Sequence, residues 1–214
     1  MDEDLSIINT NTRNEKIKKF FINNKNKLIF GILIVLIGVI CFYSFDKYQA
    51  NKKQQISEDF NLVTIEYSEN NKEKTATKLI KIINEKNSTY SPLSLYFIID
   101  NELISDQKQI NLLFDILIDQ THLDDEINNL VIYKKALFNA DQSSEGDLLS
   151  LLNPLINSKS VWKSHALYLM GEYFYSREQN QKAQEFFNQI ISLENSNPDI
   201  RLQAEKRLNR DLSE

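Results

Sequence analysis

The feature that most constrains this chain is a run of eighteen uncharged residues at 28–45, which reads LIFGILIVLIGVICFYSF. A helix over this run is about 27 Å long at 1.5 Å per residue, close to the thickness of a bilayer's hydrocarbon core. Thirteen of the residues are Leu, Ile, Val or Phe, and each contributes roughly −0.3 to −0.6 kcal/mol to insertion at a central position. The run therefore predicts a transmembrane helix, with Lys27 and Lys47 as anchors at its two ends.

The charges around the run predict its orientation. Arg13 and five lysines precede it within 13–27, whereas three lysines follow within 47–53. The positive-inside rule therefore predicts that 1–27 is a basic tail in the cytoplasm and that the rest of the chain is exported. A cleaved signal peptide would have a shorter apolar core and a better cleavage site than Tyr48-Gln49-Ala50, and lipidation of Cys41 would require a small residue just before it.

Composition predicts an all-helical fold. The chain has 4 Gly and 3 Pro among 214 residues, too few for the tight turns of a sandwich or barrel. Its single cysteine, Cys41, excludes an intramolecular disulfide and a thiolate metal cluster. Residues 47–214 carry 19 basic and 25 acidic side chains, an acidic balance that argues against nucleic acid as a partner.

The helical pattern continues after the predicted span. Apolar residues at positions 56, 60, 63 and 67 share one helix face, and no Gly or Pro occurs between Gly38 and Pro92. We therefore expect a helical stalk over 46–70 that docks into the domain after it. From 71 to 214, short amphipathic blocks alternate with longer, more apolar ones around 93–103, 127–138 and 162–175. The amphipathic blocks begin at Ala76, Ile110, Leu148 and Ala183, a spacing of about 35 residues that is typical of stacked helical hairpins.

Prolines mark expected helix boundaries. Ser91-Pro92 and Asn197-Pro198 each place a capping side chain before a proline, the arrangement of a helix N-terminus. Pro154 lies inside an amphipathic block, where we expect it to kink or split the helix.

The last hairpin carries a specific motif. Leu167, Met170, Gly171, Phe174, Ala183 and Phe187 occupy the offsets of the tetratricopeptide signature W-x-x-L-G-x-x-Y…A-x-x-x-F. In that motif the glycine and alanine stand where two helices cross closely, so we expect Gly171 to admit the backbone of the next helix. The chain departs from the motif at Leu167, at Phe174 and at Asn195, where the motif has Trp, Tyr and Pro. A generic helical hairpin remains an alternative.

The sequence contains no pattern typical of an active site. His122 and His165 lack carboxylates at ligand spacing and are expected to be surface or cap residues. Asp124, Asp125 and Glu126 follow Thr121 and fit the first turn of a helix. The acidic residues around Gly146, namely Asp141, Glu145 and Asp147, lack the spacing of a calcium loop. We therefore expect no enzyme activity, no cofactor, no metal and no small-molecule substrate. One group of side chains could line a peptide groove or form hairpin core: Tyr168, Tyr173, Phe174, Tyr175 and Arg177.

The overall layout resembles the ancillary (YfgM-like) subunits of the bacterial Sec translocon. The segments that carry the resemblance are EKIKKFF at 15–21, followed by Asn23-Asn24, the turn Asn87-Ser88-Thr89-Tyr90, the hairpin at Gly171 and the final helical segment at 204–212. The resemblance implies a single-pass inner-membrane protein with a cytoplasmic N-terminus and a periplasmic tetratricopeptide-like domain. It also implies that the protein links the translocon to a membrane-anchored periplasmic chaperone.

Two other functions remain open at this point. A scaffold of the same kind could coordinate cell-envelope synthesis or division. An enzyme or ligand-binding protein could instead use His122, Asp124 and Asp125. The sequence does not identify the binding face of the helical array, the peptide recognised or any dimer contact.

Overall fold

A computed structural model describes residues 2–212, with side chains described from Arg13 onward except Ile32. Met1 of the predicted tail and residues 213–214 of the predicted domain lie outside this range. The described residues form helices and no strands, so the all-helical prediction is confirmed for them. The α-helices are α1 (Asp2–Ile65), α2 (Lys72–Asn84), α3 (Tyr90–Asp100), α4 (Gln107–Asp115), α5 (Asp125–Asn139), α6 (Glu145–Ile156), α7 (Lys163–Tyr175), α8 (Asn180–Ser192) and α9 (Pro198–Lys206).

Three short helical segments complete the chain. A 3-10 turn, Glu69–Asn71, precedes α2, and π-helical turns at Ile116–Gln120 and Arg207–Asp211 extend α4 and α9. We refer to Arg207–Asp211 as the C-terminal π turn. Each predicted block corresponds to one helix: the amphipathic blocks to α2, α4, α6 and α8, and the more apolar ones to α3, α5 and α7.

The chain divides into two compact units, one ending at Gln55 and one beginning at Ile56. The first unit is helical, and the most apolar window of its helix is 0% buried. Phe30, Val35 and Ile40 are each more than half exposed. Among the described residues, this helix is long and apolar enough to span a membrane, by length and composition.

The second unit contains two hydrophobic clusters. The N-terminal cluster is formed by buried residues from the end of α1 through the middle of α5, and it includes Ile56, Val63 and Val131. The C-terminal cluster begins at Ile132 and ends at Leu212. Because the boundary between them falls inside α5 and Ile118 packs against both, the clusters form a continuous core.

Hydrogen bonds between neighbouring hairpins recur at similar sequence separations. Such bonds join residues 33 to 37 positions apart: Ser57 with Tyr90, Glu126 with Ser160, Asp141 with Arg177, Glu145 with Lys182, Ser164 with Asn197, and Glu172 with Arg207. This separation agrees with the spacing of about 35 residues in the sequence pattern. Each hairpin therefore contacts the next one along the chain, as in other helical repeat arrays.

The predicted stalk is helical to Ile65 rather than to residue 70, and its apolar face packs into the second unit. Helix α1 ends at Ile65, so Tyr67 lies after it, where its ring packs edge-on against Phe97 at 5.5 Å. Ile56 and Val63, by contrast, are buried in the N-terminal cluster. The second unit therefore begins inside the segment 46–70, because the apolar side chains at the end of α1 are part of its core.

The prediction that Ser91 caps α3 is wrong. Thr89 is the residue before the helix, and the side-chain oxygen of Asn87 accepts hydrogen bonds from the backbone N–H groups of Thr89 and Tyr90. Ser91 is fully buried, and its hydroxyl donates to the carbonyl oxygen of Ile82 at 2.9 Å. The predicted cap at Asn197 is confirmed, since its side chain accepts from Asp199 and Ile200 N–H groups with Pro198 in the first turn.

One of the two outcomes expected at Pro154 is excluded by the structure. Pro154 does not split α6, which continues to Ile156. A proline removes the hydrogen bond of its own N–H and crowds the carbonyl group four residues earlier, and the residues after Pro154 remain helical despite both effects. Gly146 lies in the first turn of α6, after the cap Ser144, whose Oγ accepts from the backbone N–H of Asp147 at 3.2 Å.

Candidate protein-interaction face

The six residues of the repeat signature lie in the core of the hairpin formed by α7 and α8. Leu167, Met170, Gly171 and Phe174 are buried on α7, and Ala183 and Phe187 are buried on α8. A Cβ atom on Gly171 would lie 2.5 Å from Cε1 of Phe187. The three atoms nearest to that position all belong to the Phe187 ring. Our expectation that Gly171 admits a helix backbone is therefore corrected: the glycine makes room for an aromatic ring.

An aromatic group joins α5 to the start of α7. The rings of Tyr133 and Trp162 stack at 5.7 Å, and the imidazole of His165 lies 5.0 Å from Trp162. Trp162 Nε1 donates to the carbonyl oxygen of Glu126 at 3.2 Å, and the Glu126 carboxylate accepts from Ser160 Oγ at 2.7 Å. Glu126, predicted only as a first-turn charge, therefore also orients the segment that leads into α7.

His165 lies in the first turn of α7 and is partly buried, so it is less exposed than the surface or cap position that the sequence predicted. Burial lowers the pKa of its imidazole below 6.5, and the backbone of Val161 partly opposes that shift. Burial also raises the pKa of the Tyr133 hydroxyl beside it. His165 is therefore favoured in its neutral form within this aromatic group.

An ion-pair network joins α7 to the C-terminal π turn. The Arg207 guanidinium donates from Nε and from one terminal nitrogen to the two carboxylate oxygens of Glu172, at 2.7 and 2.8 Å. It also pairs with Asp211 at 2.8 Å and lies 4.6 Å from the centre of the Tyr175 ring. Arg210 and Arg207 lower the pKa of Asp211 to about 2, whereas burial and the Glu172 carboxylate raise that of Tyr168 to about 12. The two-point pairing fixes the orientation of the arginine as well as its position.

A third contact joins α3 to α5. The Lys134 ammonium lies 4.4 Å above the centre of the Tyr96 ring. Burial raises the pKa of the Tyr96 hydroxyl to about 12. The lysine thus covers a tyrosine whose ring is held in a largely apolar setting.

These contacts lie along one line of alternate helices, α3, α5, α7 and the C-terminal π turn. On α7, residues 165, 168, 172 and 175 follow the spacing of one helix face. We call the surface the first-helix face, and it comprises Tyr96, Tyr133, Lys134, Trp162, His165, Tyr168, Glu172, Tyr175 and Arg207. All of these side chains are partly buried.

The aromatic residues predicted either to line a groove or to form hairpin core are divided by the structure, and the core alternative is confirmed for Tyr173 and Phe174. Tyr168 and Tyr175 lie on the first-helix face, whereas Tyr173 and Phe174 are buried in the C-terminal cluster. Arg177 lies 3.6 Å from the centre of the Tyr173 ring and donates to the carbonyl oxygen of Asp141. Sequence reasoning missed Tyr96, Tyr133, Lys134, Glu172 and Arg207. The Glu172–Arg207 separation of 35 residues was a usable signal, since it equals the repeat length.

The remaining candidate residues lie outside the first-helix face. His122 is exposed in the loop before α5. Asp124 precedes α5, and Asp125 and Glu126 occupy its first turn as predicted. Glu145 pairs with Lys182 at 2.8 Å. Within residues 2–212 as described, no group of three or more His, Cys, Asp or Glu side chains is placed to hold a metal ion.

The helices and their repeat spacing define a helical-repeat protein, a class that typically serves as a scaffold for binding other proteins. Residues 18–192 match the tetratricopeptide repeat-like domain family, and the chain belongs to that family. No curated protein and no solved structure matches the chain. The family match includes the apolar run at 28–45 and ends with α8.

Proposed function

We propose that the protein is a non-enzymatic scaffold, tethered to the bacterial inner membrane by residues 28–45, whose helical array binds other proteins in the periplasm. The observation that carries the proposal is that a single family match contains both the apolar helix and the repeats. Exposed apolar side chains along an eighteen-residue run are costly in water and favourable in lipid. A tether confines the array near the membrane, where weak contacts with other membrane-bound proteins are sufficient for binding.

The orientation follows from the flanking charges. The excess of Arg and Lys before the run favours a cytoplasmic N-terminus and an exported C-terminal array. Protease added to intact spheroplasts should then cleave the array, while a tag at the N-terminus should stay protected. Protection of the array would contradict export and the partners proposed with it.

The first-helix face is the surface we propose for partner binding. It presents Tyr, Trp and Arg, the residue types that are enriched where protein interfaces gain most of their free energy. Its main carboxylate and guanidinium, Glu172 and Arg207, are already paired with each other. The face therefore favours partners that bind through apolar and aromatic contacts more than through unpaired charges.

For the partners, we propose the Sec translocon and a membrane-anchored periplasmic chaperone. The support is the resemblance in layout: a basic tail, one span and a degenerate repeat array. The protein would hold the chaperone close to the point where exported chains emerge.

Site-specific crosslinking in intact cells tests the face and its partners together. A photoreactive residue at Tyr168 should crosslink to translocon or chaperone components. The matched control is Gln181, an exposed residue on α8 outside the first-helix face. Equal crosslinked products from both positions would contradict partner binding through the first-helix face. Products that contain only septal envelope enzymes would favour a division scaffold instead.

A further inference from the structure

We infer that the basic segment 13–27 binds the anionic lipid headgroups of the membrane that the apolar run crosses. This rests on the proposed membrane span and adds a lipid class to it. The segment carries six Arg and Lys residues against one acidic residue, Glu15. A cluster of this size next to a span is attracted to an anionic leaflet, by about 1 kcal/mol per basic residue.

Four of the six basic residues border an apolar strip. At about 100° per residue, Ile17, Phe20 and Phe21 fall within an arc of about 100° on the helix. Lys16 and Lys27 lie on one side of that arc and Lys18 and Lys25 on the other, all within about 60° of its edges. The three apolar side chains are exposed, with Phe20 at 57% and Phe21 at 56%. An apolar strip with lysines on both sides is the arrangement of helices that lie in a membrane interface.

Contact with the leaflet requires a bend in α1. Phe20 precedes the apolar run by eight residues, which is about 12 Å along a straight helix. The headgroup region is only about 5–8 Å deep on each side, so an upright helix would hold the Phe20 ring beyond it. Helix α1 is continuous through these residues, and we infer that the bend forms on contact with the anionic surface.

The asparagines between the strip and the run provide the weak point for that bend. Asn23, Asn24 and Asn26 have low helix propensity. The Asn24 side chain donates to the carbonyl oxygen of Phe20 at 3.0 Å. Such side-chain bonds compete with the backbone hydrogen bonds of the helix and often bend it.

Spin labels on the full-length protein in vesicles test the inference. With Cys41→Ala as background, single cysteines are introduced by Phe20→Cys, Ile22→Cys and Leu36→Cys. In vesicles of phosphatidylglycerol and phosphatidylcholine, the nitroxide at position 20 should be protected from a water-soluble nickel reagent at least fivefold more than in phosphatidylcholine alone. The nitroxide at position 22, on the opposite side of the helix, should stay accessible in both. Equal protection of position 20 in the two lipids would overturn the inference.

Position 36 separates failure of this inference from failure of the span. A nitroxide there should be protected in both kinds of vesicle. If it is accessible to nickel, the proposed anchor itself is wrong.

Paired charge variants test whether the lysines that border the strip are responsible. The double variant Lys18→Gln, Lys25→Gln should lower the ratio of lipid-bound to unbound segment about 25-fold. Each lysine contributes about fivefold to that ratio. Lys47→Gln with Lys53→Gln changes the net charge equally at the other end of the span and should leave that ratio unchanged. Equal effects of the two pairs would overturn the assignment to this segment.

Discussion

Gly171 of α7 lies under the ring of Phe187 of α8, so close that a single added carbon would come within 2.5 Å of the ring. Phe187 is fully buried in the C-terminal cluster. The ring therefore has little freedom to move away, and the hairpin depends on the absence of a side chain at residue 171.

Gly171→Ala should destabilise the protein. Overpacking a buried site costs about 1–3 kcal/mol, and the better helix propensity of alanine offsets about 1 kcal/mol of that. We expect a net loss of up to about 2 kcal/mol in the free energy of unfolding. Gly146→Ala is the matched control, because nothing lies within 4 Å of its Cβ position, and it should not destabilise.

A double-mutant cycle would locate the cause of that loss. If the Phe187 ring is responsible, Gly171→Ala should cost less when Phe187→Leu has already removed the ring. Additive effects of the two changes would contradict the contact as the reason for the glycine.

Arg207→Lys should loosen the C-terminal end of the array. Lysine cannot reproduce the two parallel hydrogen bonds to Glu172, and the side chains of this pair are only 27% and 28% exposed. We expect a loss of about 1 kcal/mol and faster amide exchange in α9 and the C-terminal π turn. Arg210, whose side chain is 74% exposed, supplies the control Arg210→Lys, which should change exchange little.

Glu178→Gly should stabilise the protein. Glu178 has φ 59°, a left-handed conformation that costs a residue with a side chain roughly 1–2 kcal/mol. Part of the gain is lost to the greater freedom of glycine in the unfolded chain, which leaves about 0.5–1 kcal/mol. Glu185→Gly makes the same chemical change at an exposed position inside α8. Thermal unfolding should show a lower Tm for Glu185→Gly and a higher one for Glu178→Gly.

His165 should make stability depend on pH. Because burial lowers its pKa below 6.5, the unfolded chain binds a proton more readily than the folded one. The contribution of neutral His165 to the free energy of unfolding is present above pH 6.5. It is lost as the pH falls through the pKa of His165 in the folded protein. Unfolding free energies measured between pH 7 and 5 should fall less steeply in His165→Gln than in the parent, with His122→Gln as the exposed control. Parallel slopes would contradict a neutral, buried His165.

Part of this architecture could be predicted from local sequence patterns. The four amphipathic blocks, the cap at Asn197 and the acidic first turn of α5 correspond to helices and helix starts in the structure. These features are readable because helical periodicity and capping depend on residues only three or four positions apart. The predicted cap at Ser91 was wrong because its hydroxyl bonds to a more distant residue, Ile82, nine positions earlier. The side chain of Asn87 accepts the N–H hydrogen bonds at the start of α3 instead.

The sequence by itself determined that this chain is helical, that its hairpins recur about every 35 residues, and that one segment is apolar enough for a membrane. Only the tertiary structure decided that a ring lies against Gly171, that His165 is enclosed by Tyr133 and Trp162, and that Glu172 meets Arg207. The physical reason is distance along the chain: helix formation is set by near neighbours, whereas these contacts join side chains on different helices. Their geometry exists only once the hairpins have packed against one another.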